Sequence, residues 1–110
     1  MVLRFKKPAQ SIDTDLRRAI AERKLIELRY KDCTRIAEPH DYGRQHAVDR
    51  LLIYQLTADS ARTRHETGWR LLDIPKIESL RVLNTTFRGS RQQPHQDHHH
   101  WEVLYARVEG

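Results

Sequence analysis

The chain has 110 residues, 38% hydrophobic and 32% charged, enough for one domain around one core without disulfide or metal support. No run of about 18 consecutive apolar residues occurs, which argues against a membrane span, and the basic start MVLRFKKPAQ lacks the apolar centre of a secretory leader. Twenty Lys and Arg against fifteen Asp and Glu give a net charge of +5, which admits an anionic partner, although the arginines are scattered rather than blocked.

Residues 1–10 read as a flexible arm closed by Pro8. SIDTDLRRAIAERK then predicts a helix. Ser11 is placed to cap it, Asp13 and Asp15 sit in its first turn, and Arg23 and Lys24 in its last. Ile12, Leu16, Ala19 and Ile20 form the apolar stripe, leaving Arg17, Arg18 and Lys24 as a solvated face. LIELRY alternates as a first strand, KDCT turns the chain, and RIAEP returns as a short strand that Pro39 should end. His40 to His46 is then a polar loop.

RLLIYQL is apolar on both faces and predicts a central strand covered on two sides. TADSARTRHETG reads as a long hairpin tip, WRLLDI as a fourth strand, and IESLRVL, after Pro75, as a fifth. Tyr54 and Phe87 are assigned to the core, and Trp69 is left open between core and surface. The class is mainly β with an N-terminal helix (α+β), arranged as a small Sm-like β-barrel of about five strands over residues 11–88. Closure of that barrel would hide the sheet edges. Residues 89–100 read as a polar, His-rich linker, and 101–110 as a docking segment. Trp101, Leu104, Tyr105 and Val108 fit a helical face, and alternation also fits, so the segment is a terminal helix or an added strand, the helix being preferred.

The order of these elements resembles the WYL-domain family over residues 15–88. Tyr30 takes the place of the aromatic that ends the family's first strand, and Arg35 and Pro39 match its Arg-x-x-x-Pro element. RLLIYQ, Arg50 to Gln55, falls on the Trp-Tyr-Leu signature, with Leu51 and Leu52 replacing the two aromatics. LDIPKI, Leu72 to Ile77, falls on the segment before the last strand, and Phe87 on the closing aromatic. The resemblance implies a stand-alone regulatory module with an Sm-like barrel, without the helix-turn-helix that usually precedes it. It also implies a basic and aromatic groove able to sense a ligand, in some members single-stranded nucleic acid.

Tyr30, Arg35, His40, Tyr42, Arg44, Arg50 and Arg70 form the candidate ligand-binding set, because guanidinium forks pair with phosphate or carboxylate and tyrosines offer stacking faces. The alternative is that Arg35 and Arg50 pair with Glu38 or Asp49 for structure. His95, Asp97, His98, His99 and His100 are metal-ligand types, but consecutive histidines in a polar loop lack a fixed second shell, so no metal site is assigned. Cys33, the single cysteine, sits in an acidic turn that disfavours a reactive thiolate. It fits a reducing, cytoplasmic setting.

No nucleophile, P-loop or metalloprotease motif occurs, so no catalytic residue and no cofactor are expected. The expected function is non-catalytic recognition of an anionic ligand, a nucleotide or single-stranded nucleic acid. The alternative is a protein–protein interaction or self-associating module, with a separate regulatory protein as partner and no membrane.

Overall fold

The computed structural model describes residues 9–59, 67–91 and 100–110. Residues 1–8 of the expected arm 1–10, residues 60–66 of the expected hairpin tip 57–68, and His95, Asp97, His98 and His99 lie outside the described residues. The remaining arm residues are helical, and 57–59 and Gly68 of the tip are strand. Helix α1 (Ala9–Glu22) precedes strands β1 (Lys24–Tyr30), β2 (Cys33–Gln45), β3 (Val48–Asp59), β4 (Gly68–Asp73), β5 (Ile77–Thr86) and β6 (Val103–Arg107). A 3-10 turn (Ile74–Lys76) carrying Pro75 joins β4 to β5. The domain is therefore mostly β with one N-terminal helix on a six-stranded antiparallel sheet.

The stripe Ile12, Leu16, Ala19 and Ile20 is buried as its spacing predicts. The helix limits differ from expectation. It starts at Ala9, so Ser11 lies inside it rather than capping it. It ends at Glu22 because Arg23 takes a left-handed conformation, φ 55°, which turns the chain into β1. Arg23 and Lys24 therefore leave the last turn. Two hairpins follow. Lys31–Asp32 (φ 52° and 58°) link Tyr30 to Cys33, and His46–Ala47 (φ 53° and 65°) link Gln45 to Val48. Two consecutive positive φ values are what a type I′ connection needs to match strand twist.

The main correction concerns Pro39. The strand it was expected to end continues for six residues, so His40 to Gln45 is strand rather than loop. Proline is tolerated because β2 bulges there: Pro39 pairs with Ile53 and Asp41 with Leu52, leaving His40 as the extra residue. Cys33 opens β2 and is buried rather than sitting in the turn.

On one edge β2 pairs with β3 along its length. On the other it pairs with β1 over 33–37 and with β6 over 41–44. Residues 101–110 thus supply a strand, not the preferred helix, because the second half of β2 needs a partner on that edge. Backbone bonds extend the pairing at both ends: Val108 N–H donates to His40 O at 2.8 Å, and Glu102 N–H to Arg44 O at 2.8 Å. The sheet order is β4-β3-β2-β1-β5, and β4 and β5 do not pair with each other, so the barrel is not closed as expected.

In β3 the two-sided apolar pattern holds: Leu51 and Ile53 enter the core, and Leu52 on the opposite face is also fully buried. Tyr54, assigned to the core, is instead half-buried on that opposite face, with its ring 5.2 Å from Trp69. Phe87 packs, partly buried, against the core.

Gly43 lies where β6 crosses β2, and a Cβ built there would sit 2.3 Å from Val103 O and 2.9 Å from Trp101 Cε3. Gly43→Ala should therefore push β6 away and cost about 1–3 kcal/mol in urea denaturation. Amide exchange at Glu102 and Val108 should quicken in the same variant, and unchanged exchange there would show that β6 docks some other way.

Candidate functional site

The seven candidate residues are distributed over the sheet. Arg35 packs over the Tyr30 ring at 5.4 Å, donates to Tyr30 O at 3.3 Å and to Gln55 Oε1 at 2.9 Å, and keeps a buried Nε with no hydrogen-bond partner. Arg70 lies on the neighbouring strand beside Gly68, which pairs with Gln55, and donates to Trp69 O. Tyr30 and Arg35 are thus in contact, whereas Arg70 sits opposite Ile53, level with Pro39 in the middle of β2. Tyr30 Oη also accepts the N–H of Asp73 at 3.1 Å.

Arg50 alternates onto the other face with Leu52 and Tyr54. Its Nη1 donates to Gln45, and its Nε approaches Asp73 Oδ1 at 3.0 Å but off the N–H direction. Arg44 pairs with Asp49, and that hydrogen bond raises the guanidinium pKa. Tyr42 is buried and donates to Asp13 at 2.7 Å; burial first, and then this bond, push its pKa well up. Neither of the pairings expected for Arg35 and Arg50, with Glu38 or Asp49, forms; Gln55 and Asp73 take those places.

His40 leads to a centre that the sequence concealed. Glu38, His40 and Asp41 are adjacent at the β2 bulge and all three are buried, His40 and Asp41 completely. Buried carboxylates require cations and hydrogen bonds. Arg91 supplies both to Glu38, with Nε to Oε1 at 2.8 Å and Nη2 to Oε2 at 3.0 Å. Its guanidinium also lies 3.6 Å from the centroid of the Tyr54 ring, a close cation–π contact. Arg107 does the same for Asp41 from β6, at 2.9 and 3.1 Å. The His40 ring donates Nε2–H to Glu38 Oε1 at 3.1 Å and packs edge-on to Trp69 at 4.8 Å and near Phe87 at 5.7 Å.

No alternation or spacing reveals this arrangement, since Arg91 and Arg107 stand 53 and 66 residues from their acids. The one available signal is two acids flanking a histidine beside a strand proline.

A hollow of about 460 Å³ opens beside this centre, lined by Glu38, Phe87, Arg88, Gly89, Ser90 and Arg91. Arg88 is exposed, and no ion-pair or hydrogen-bond partner is found for its side chain among the described residues. Arg91 carries a raised pKa, from its bond to Glu38, and remains charged at any physiological pH. Gly89, at φ 115°, allows the close crossing of this segment with Glu109, because a Cβ there would meet Glu109 O at 2.3 Å.

Among the described residues no group of three His, Cys, Asp or Glu could hold a metal, and no helix is long and apolar enough to cross a membrane. No family model, no curated protein and no solved structure matches the chain.

Burial lowers the pKa of His40, outweighing the raising effects of Glu38 and Asp41, with Arg91 also lowering it. The unfolded histidine binds its proton below about pH 6.5, where native His40 stays neutral, so the unfolded state holds more protons and stability falls as pH drops through that value. Urea denaturation between about pH 7.5 and 5.5 should show this slope, and His40→Gln should flatten it. An identical slope in the variant would assign the effect elsewhere.

Proposed function

We propose that the chain is a non-catalytic ligand-binding module of WYL type, working in the cytoplasm, that takes an anionic ligand, a nucleotide or single-stranded nucleic acid, in the hollow beside Glu38. The helix followed by strands in the order β4-β3-β2-β1-β5, with a 3-10 turn between β4 and β5, supports an Sm-like architecture for it. The observation that carries the reading is the convergence on one hollow of about 460 Å³ of Arg91, Ser90, Phe87 and Arg88, the last without a partner among the described residues. A concave site with a few convergent polar groups, beside residues of perturbed pKa, is the usual form of a ligand site.

Glu38 does not oppose an anion there, because Arg91 already neutralises it in a bidentate pair. Arg88 can reach a phosphate as a fork, and Phe87 offers an apolar face beside it. Arg35 and Arg50, by contrast, are tied to Gln55, Gln45 and Asp73, so their part in this reading is to hold the sheet.

The test is titration of a mononucleotide and of a single-stranded oligonucleotide at rising salt. Binding should weaken steeply with salt, and Arg88→Gln should reduce affinity about five- to tenfold while leaving the fold intact. No binding at low salt, or an unaffected Arg88→Gln variant, overturns the reading. One feature favours association with a protein instead: Val103 and Leu104 on β6 remain 48% and 39% exposed. A concentration-independent monomer in sedimentation would count against self-association through β6.

A further inference from the structure

We propose that a second, independent anion site lies between α1 and β6, and that it takes a small oxyanion of the phosphate class. A hollow of about 320 Å³ is lined there by Arg17, Arg23 and Arg107, by the apolar Ile20, Ala21 and Ala106, and by Glu109. Three arginines and one glutamate therefore line a space large enough for a phosphate ester with a small organic body, with Asp13 and Asp41 behind two of the arginines.

Two of the three are held in place by their own carboxylates. Arg107 is fixed by the bidentate pair with fully buried Asp41, and Arg17 by both oxygens of Asp13 and by Tyr105 O at 3.3 Å. Arg17 also stacks on the Tyr105 and Tyr42 rings, at 5.3 and 5.9 Å. Each keeps about half its side chain exposed, 48% in both cases, so each presents an oriented charge to the hollow. Guanidinium groups already ordered in this way lose little further entropy on meeting a ligand.

Arg23 is the lining arginine without a carboxylate of its own among the described residues, and it is exposed. Its backbone is anchored on both sides: its N–H donates to Ile20 O, and its carbonyl accepts the N–H of Phe87 at 2.8 Å. The α1-to-β1 turn thereby fixes where this side chain emerges. The site does not depend on the hollow beside Glu38, which shares none of these lining residues.

The experiment follows backbone amide shifts of the full chain by NMR during titration with inorganic phosphate and with pyrophosphate at low salt. Shifts should concentrate at Ala21, Arg23, Ala106 and Arg107, and pyrophosphate should bind the more tightly of the two. Arg23→Gln should weaken pyrophosphate at least about fivefold, and Glu109→Gln, by removing the opposing charge, should strengthen it about two- to threefold. Arg107 is not the variant to use, since its loss leaves Asp41 buried and unpaired.

Arg88→Gln should leave this binding unchanged, which separates the two sites whichever of them fails. Four results would overturn the proposal: no shifts up to about 10 mM of either anion, shifts confined to residues 87–91, no effect of Arg23→Gln, or no gain from Glu109→Gln.

Discussion

The structure depends on the hydrogen-bonding demand of β2. A strand of thirteen residues in the middle of a sheet must find partners on both edges along its whole length, and no single neighbour here is long enough on the β1 side. The edge is divided between β1 and β6, and the changeover falls at Glu38–His40, where Pro39 has no N–H to pair and the strand bulges. An irregular, acid-rich segment in the interior then needs cations. Arg91 and Arg107 arrive from distant parts of the chain to provide them. Removing either arginine would strand a buried carboxylate, a defect on the order of 3–5 kcal/mol, whereas the intact pairs add little net stability beyond an apolar alternative. The pairs matter because they tie the C-terminal half of the chain to the bulge.

That requirement also decides what the positive charge can do. Most described arginines are neutralised within the fold: Arg17 by Asp13, Arg29 by Glu78, Arg44 by Asp49, Arg50 by Asp73, Arg81 by Glu27, Arg91 by Glu38 and Arg107 by Asp41. The surface pairs among them contribute little to stability, but they fix those side chains in place and offset their charge with an acid of the fold. Arg23 and Arg88, exposed and without an acid partner among the described residues, flank the same junction, since Phe87 N–H bonds to Arg23 O and Gly89 packs on Glu109. Net charge is thus a poor guide to a binding surface until the internal pairs have been subtracted.

The parts of the fold that follow local periodicity were legible. The α1 stripe, the alternation of β1 and the two-sided β3 rest on side-chain spacing, which sequence displays directly. What escaped depends on distant partners. Pro39 was read as a terminator because a proline cannot donate to a ladder, yet a bulge makes that donor unnecessary. The His46–Ala47 turn lacks the Asn-Gly chemistry that announces a type I′ hairpin, so the stretch after Pro39 resembled a loop. Trp101, Leu104, Tyr105 and Val108 fit a helical face, which favours the helix, although alternation also fits; the edge of β2 selects the strand. Of the candidate site, Tyr30 and Arg35 are in contact, but His40 and Tyr42 are buried and Arg44 and Arg50 are paired. Arg91 lay in a segment whose composition reads as linker, and nothing in composition reports that one of its residues neutralises an acid 53 positions earlier.

These constraints separate the roles of neighbouring arginines. Arg91 cannot leave Glu38 to follow a ligand, because the carboxylate it would abandon is only 7% exposed and has no other cation beside it among the described pairs. It can act only as a fixed source of field, held in direction by the Tyr54 ring. Arg88, three residues earlier, carries the opposite properties: it is exposed, without an acid partner among the described residues, and its removal strands no buried charge among them. Affinity for an anion in that hollow should therefore reside in Arg88, and the integrity of the hollow in Arg91. The same division holds across the junction, where Arg107 is bound to Asp41 and Arg23 has no acid partner among the described residues. In each hollow the fold holds arginines on internal acids, Arg91 in one and Arg17 and Arg107 in the other, and leaves one turned to the solvent side. That pairing, rather than total charge, is the physical reason to look for anions at this junction.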